Sequence, residues 1–116
     1  MNDSDIHELL NKMEEFAGSL EDNLANVFTE SKIQTKLSAW AMKENLGNQQ
    51  GLVSMQKREY EETFIEWSDD MINYKNLLER LQKMQPGNER IRPLISRFDN
   101  CLQTLNNRRR TVSEWS

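Results

Sequence analysis

Apolar side chains recur along this chain at alternating intervals of three and four residues, in three separate stretches. This spacing keeps the apolar residues on one face of an α-helix and is typical of helices that pack lengthwise, as in coiled coils. No stretch has the strict apolar–polar alternation of a half-buried strand. The three series are Ile6, Leu10, Met13, Ala17, Leu20, Leu24 and Val27; Tyr60, Phe64, Trp67, Met71, Tyr74, Leu78 and Leu81; and Ile91, Ile95, Phe98, Leu102, Leu105, Arg109 and Val112. The pattern predicts an all-α fold.

The first break in the pattern follows Val27, where the apolar phase shifts. Thr29 and Ser31 are residue types that cap the start of a helix, so a new helix can begin here. A shifted heptad can also continue as one long helix with a local change in supercoil. Residues 5–46 are therefore one helix or two, and the pattern favours a kink or break near residues 29–32.

Two further breaks are marked by turn residues. Gly47–Gly51 holds two glycines and three amides, and Pro86–Gly87 ends the next helix because proline cannot continue it. Pro93 is tolerated only near the start of the last helix, and Asp5 with Glu8 resembles a capping box at the start of the first. The predicted helices cover residues 5–28, 31–46, 52–84 and 92–114. The simplest arrangement is an antiparallel up-down bundle of three or four helices in a single domain, residues 1–116.

Composition and charge narrow the class of protein. The chain has 116 residues, a hydrophobic fraction of 36%, 4 Gly and 2 Pro, which suits an elongated bundle with a thin apolar stripe. Residues 1–30 contain eight acidic residues beside Lys12, whereas residues 91–116 contain five arginines. We expect the first and last helices to attract each other. The net charge of −4 makes nucleic acid an unfavoured partner.

The residues that carry chemistry are few. His7 is the single histidine and Cys101 the single cysteine, so neither a zinc site nor a Cys–His pair is expected. Cys101 is expected to be a small buried residue. The acids near Trp67 are expected to form a solvated face, because the di-metal pattern of helix bundles needs more than one histidine. We therefore predict no enzyme, no catalytic residue, no cofactor and no metal. The acids concerned are Glu61, Glu62, Glu66, Asp69 and Asp70.

Large side chains along the repeat are expected in the core. The set comprises Trp40, Trp67, Met13, Met71 and Met84. Methionine fills irregular gaps in cores, although it also occurs at adaptable binding surfaces.

The end of the last helix holds the candidate contact residues. Arg108, Arg109 and Arg110 suit the negative end of the helix dipole, which is their main expected role, and they can also contact an anionic surface. Trp115 is a candidate contact for a partner or a second copy. The order of three arginines before Thr111 is similar to a basophilic kinase acceptor site. Thr111 and Ser113 are therefore candidate phosphorylation sites.

The last two helices resemble the second and third helices of a spectrin repeat. The resemblance is carried by the apolar series from Tyr60 to Leu81, the short PGN link and the segment IRPLISRFDNCLQTLNNRRRTVSEW. Trp40 in KLSAWAMKENL is similar to the tryptophan that such repeats bury in their first helix. The resemblance covers residues 33–116 and leaves residues 5–28 as an extra helix. It implies a scaffold or spacer that binds proteins.

These observations predict a non-catalytic scaffold that acts by helix-mediated protein contacts and self-association. The alternative is a BAR-type module, a dimeric three-helix coil that binds membrane surfaces, with Lys57, Arg58 and Arg108–Arg110 as its basic face. Membrane contact would then be peripheral, because no run of about 18 apolar residues exists. A lone cysteine and an N-terminus without a secretory pattern favour a cytoplasmic or other intracellular location.

Overall fold

A computed structural model of the protein describes residues 2–47 and 49–116, and this part of the chain forms four α-helices. The helices are α1 (Asp3–Asn26), α2 (Glu30–Gly47), α3 (Leu52–Met84) and α4 (Ile91–Glu114). They pack into a rod of 60 × 20 × 19 Å. The predicted all-α bundle is confirmed, and each helix end lies within two residues of its predicted position. Asn48, part of the predicted turn, lies outside the described residues.

Helices α1 and α2 follow one another along the hairpin that α3 and α4 form. Together they make a two-part arm that runs antiparallel to α3. Contacts in order along the arm join Asp3 with Gln85, Phe16 with Tyr74, Lys36 with Tyr60, and Glu44 with Leu52. A cross-section of the bundle therefore cuts three helical segments, which are the arm, α3 and α4, although the chain forms four helices.

The arm runs parallel to α4. Contacts from the start to the end of α4 join Arg90 with Glu14, Arg97 with Glu21, Arg108 with Phe28, and Thr111 with Glu30. Helix α4 ends beside Lys57, so the last two turns of α2 and the first turn of α3 continue as a two-helix tip.

The break between α1 and α2 is confirmed and lies at residues 27–29. Helix α1 ends with a hydrogen bond from Phe28 N to the carbonyl oxygen of Asn23 (2.8 Å). Thr29 then caps α2, because its Oγ1 accepts from Lys32 N (3.2 Å). No glycine or proline stands in residues 26–32, so side-chain packing and caps hold the break.

Phe28 fixes the break through aromatic packing. Its ring centroid lies 6.1 Å from that of Tyr60, 5.7 Å from Phe64 and 5.2 Å from Trp67, each in an edge-on arrangement. Edge-on aromatic pairs each add about 0.5–1.5 kcal/mol beyond their burial. The residue between the two helices is thus an anchor onto α3.

The start of α1 differs from the prediction, and the start of α4 shows why a proline is tolerated there. Asn2, rather than the pair of Asp5 and Glu8, caps α1, since its side chain accepts from Asp5 N (2.8 Å). Pro93 stands third in α4, where a missing backbone N–H leaves no bond unmade. Gly51 has a φ of 85°, a left-handed conformation that glycine adopts without strain.

The core follows the apolar repeat, with corrections in α4. Phe64, Met71 and Met13 are fully buried, as predicted. In α4 the buried positions include Leu94 and Cys101, whereas Ile95 and Leu102 are half-buried. Helix α4 packs against two rods at once, so its buried stripe is wider than a single seam. The buried residues of α4 are Ile91, Leu94, Phe98, Cys101, Leu105 and Val112.

Three residues that the repeat predicts in the core lie outside it. Val27 is 53% exposed because it follows the last turn of α1, and Met84 is 64% exposed at the end of α3. Trp40 is half-buried in the two-helix tip, where α4 no longer covers it, and Lys43 Nζ lies 4.7 Å from its ring centroid. Trp67 is half-buried and packs against the core.

Candidate functional site: the α4 end and the outer faces of α2 and α3

Two of the three candidate arginines contact other parts of the chain. Arg108 Nε donates to the carbonyl oxygen of Phe28 (2.8 Å), and Arg109 Nε donates to Glu61 Oε1 (2.9 Å). Arg110 is exposed. Arg108 therefore caps the end of α1, and Arg109 joins α4 to α3. Both side chains are used to hold the bundle together.

Trp115 is packed against the bundle. It is half-buried against the core, and Lys57 Nζ lies 5.7 Å from its ring centroid. The same Nζ donates to the Trp115 carbonyl oxygen (2.5 Å). This lysine, counted in the predicted basic face, is thus joined to the end of α4.

The two candidate phosphorylation sites differ in their surroundings. Thr111 is half-buried, and its Oγ1 lies 3.2 Å from Glu30 Oε1 and 3.1 Å from the carbonyl oxygen of Asn107. Ser113 is exposed, and its Oγ donates to the Arg110 carbonyl oxygen (3.2 Å). A phosphate on Thr111 would lie beside a carboxylate at the first residue of α2.

Ion pairs join the acidic first helix to the basic last one, as expected. Arg97 Nε donates to Glu21 Oε2 (3.2 Å), and Arg90 lies 3.0 Å from Glu14. The hydrogen bond from Arg97 holds the pKa of Glu21 below its usual value. Each exposed pair adds about 0.2–1 kcal/mol, so together they favour one helix arrangement over others.

His7 and Cys101 occupy structural positions. Arg90 Nη1 donates to His7 Nδ1 (2.9 Å) beside the turn between α3 and α4. Cys101 is buried, and this burial raises the pKa of its thiol, so the reactive thiolate is disfavoured. Within residues 2–47 and 49–116, no three His, Cys, Asp or Glu side chains are placed to hold a metal ion.

The acids near Trp67 mostly face solvent. Glu61 is half-buried and paired with Arg109. The other four, Glu62, Glu66, Asp69 and Asp70, are exposed. They give the outer face of α3 a strong negative charge.

Helix α2 has a second apolar face that the sequence reasoning missed. Ile33 and Leu37 are fully buried against α3 and α4, whereas Ala39, Met42 and Leu46 are exposed on the other side. Met42 is 62% exposed and Leu46 is 83% exposed. The three residues are spaced three and four apart and line one shallow groove with Lys43. We call Ala39, Met42 and Leu46 the α2 outer stripe.

A smaller apolar pair lies on the outer face of α3. Ile65 and Ile72 are 41% and 45% exposed and lie two turns apart, and each directly follows a buried residue, Phe64 or Met71. Asp69 lies between them along the helix and is exposed. We call Ile65 and Ile72 the α3 outer pair.

Neither family models, nor curated proteins, nor solved structures yield a match to this chain. None of the helices in the described ranges is long and apolar enough to cross a membrane.

Proposed function

We propose that this protein is a non-catalytic scaffold that acts by helix-mediated protein–protein contact. The α2 outer stripe is the observation that carries the proposal. A helix that is apolar on two faces is ordinarily covered on both, and here only one face is covered. Burying a leucine or methionine side chain is worth about 1.5–3 kcal/mol. A partner helix that covered Met42 and Leu46 would gain this energy.

The spectrin-repeat-like identity belongs to the same proposal. The long hairpin of α3 and α4, with a third rod laid along it, supports the idea of a spacer that presents binding faces along its length. The first rod differs from a single repeat helix, because it is broken at residues 27–29 and its Trp40 is only half-buried. We propose that this broken rod frees α2 to present its outer stripe.

The alternative BAR-type membrane module needs an exposed basic face. Lys57, Arg108 and Arg109 contact groups within the bundle, which leaves Arg58 and Arg110 as exposed members of that face. The exposed acids of α3 would also repel an anionic surface. These observations favour protein contact, and we propose a cytoplasmic or other intracellular setting for it.

Site-specific photocrosslinking tests the proposed function. A photoreactive amino acid replaces Leu46 in the full chain, and a control chain carries it at Glu15, an exposed position on α1. Both are irradiated as purified protein and in an extract of the source cells. We expect adducts with a protein at Leu46 and far fewer at Glu15. Equal yields at the two positions would contradict the proposal.

A further inference from the structure

We propose that the α2 outer stripe binds the α3 outer pair of a second copy of this chain, in an antiparallel helix pairing. This inference rests on the proposed function and names its partner. The two surfaces match in spacing. Ala39 and Leu46 stand seven residues apart, as do Ile65 and Ile72, so each pair spans about 10.5 Å of helix.

Charge selects the direction of the pairing. Lys43 follows Ala39 by four residues, and Asp69 follows Ile65 by four residues. When two helices pack antiparallel, the residues that follow each apolar pair's first member by four lie on the same side of the contact and face each other. When two helices pack parallel, these residues lie on opposite sides of the contact. Antiparallel pairing thus places Lys43 opposite Asp69, and a parallel pairing does not.

Opposite charges at the flanking positions of two helices set partner choice and orientation in coiled coils, and Lys43 with Asp69 supplies such a pair here.

The middle of the contact also fits in size. Met42 follows Ala39 by three residues, and Ser68 follows Ile65 by three residues. In the antiparallel pairing, the long flexible methionine side chain faces a small serine. Methionine adapts to such gaps because it is unbranched and has three rotatable bonds.

The pairing leads to open-ended growth. Within one chain, α2 is antiparallel to α3, so an antiparallel contact between α2 of one copy and α3 of the next aligns the two rods in the same direction. Glu44 lies at the level of Leu52, so the α2 outer stripe and the α3 outer pair lie about 20 Å apart along the rod. Each copy is therefore staggered against the next and leaves one surface free at each end. A contact of this kind does not close on itself.

Charge reversal tests the pairing. Sedimentation velocity of the full chain from about 5 to 500 µM measures the weight-average mass. We expect the mass of the wild type to rise past that of a dimer. Lys43→Glu and Asp69→Lys should each weaken association about fivefold, and the double variant should restore it to within about twofold. Leu46→Ser should weaken it at least about tenfold. Glu15→Lys changes the charge by the same amount as Asp69→Lys but at an exposed site of α1, and it should have no effect on association.

Three results would overturn the inference. They are a wild type that stays monomeric at every concentration, a mass that levels off at a dimer, and a double variant that remains as weak as the single variants. A monomeric wild type together with adducts at the photoreactive position 46 in extract would overturn only the self-pairing and leave the proposed function standing. Thermal melts monitored by circular dichroism check that each variant is folded.

Discussion

The Nε atom of Arg108 lies 2.8 Å from the backbone carbonyl oxygen of Phe28, at the point where α1 ends and α2 has not yet begun. Carbonyl groups at a helix end lack partners within the helix, and an arginine donor satisfies one of them. The side chain of the same phenylalanine packs against the aromatic residues of α3. One residue in the break is therefore held by both helices of the hairpin.

Replacing Phe28 should destabilise the whole bundle. Phe28→Ala removes the edge-on contacts with three rings and leaves a cavity beside Phe64, at an expected cost of about 3 kcal/mol in the free energy of unfolding. Val27→Ala is the matched control, since Val27 is 53% exposed and should change stability by less than about 0.5 kcal/mol. Urea unfolding followed by circular dichroism measures both. Similar losses for the two variants would show that the break is not anchored by Phe28.

The three adjacent arginines should differ in their effects on stability. Arg108→Ala leaves the Phe28 carbonyl without its charged donor, and we expect a loss of about 1.5 kcal/mol in the free energy of unfolding. Arg110→Ala removes an exposed side chain and should cost less than about 0.5 kcal/mol. Urea unfolding of both variants is the measurement. A loss for Arg110→Ala as large as that for Arg108→Ala would contradict the assigned role.

The heptad pattern of α4 predicts an amphipathic helix but not the exact residues that are buried. The third repeat places Ile95 and Leu102 in the seam, but the buried positions of α4 are their neighbours Leu94 and Cys101. The heptad predicts that α4 is amphipathic. It does not predict which of two neighbouring residues faces inward, because the buried face of a helix depends on how many other helices it packs against.

The fold was largely predictable, since long apolar series, glycines and prolines mark helices and turns locally. The uncovered face of α2 was not recognised, although Ala39, Met42 and Leu46 have the same three-and-four spacing as the core series. Ile33 and Leu37 give α2 a second series with equal periodicity. Only the packed structure distinguishes them, because it shows which side meets α3 and α4.

The pair of Glu21 and Arg97 should make stability depend on pH in one direction. Because Arg97 lowers the pKa of Glu21 in the folded state, this pair stabilises the fold above the unfolded pKa, and the contribution is lost as pH falls through the folded pKa. Glu21→Gln should therefore be less stable than the wild type at pH 7, by less than about 1 kcal/mol because both side chains are partly exposed. The difference should be smaller at about pH 3, below the usual pKa of a glutamate, than at pH 7. Urea unfolding at both pH values measures it.

Glu15→Gln is the control for this pH effect. Glu15 is exposed and pairs with no cation among the described residues, so removal of its charge should leave the dependence on pH nearly unchanged. If Glu21→Gln differs from the wild type equally at pH 3 and pH 7, the ion pair is not the source of the effect.

A negative charge at Thr111 should loosen the contact between α4 and α2. In Thr111→Glu the new carboxylate lies beside Glu30 and near the negative end of the α4 dipole, so we expect a loss of about 1 kcal/mol in the free energy of unfolding. Ser113→Glu is the matched control, because it meets the same dipole, whereas the hydroxyl of Ser113 bonds to the Arg110 carbonyl oxygen and not to Glu30. It should cost about half as much.

Combining Thr111→Glu with Glu30→Gln separates the two causes. If repulsion from Glu30 contributes, the loss caused by Thr111→Glu should fall to that of Ser113→Glu when Glu30 is neutral, because only the dipole effect remains. The four chains of this double-mutant cycle are compared by urea unfolding at low salt, where exposed charges are screened least. Strictly additive losses would mean that Glu30 and residue 111 are not coupled, and that phosphorylation at Thr111 would act on α4 alone.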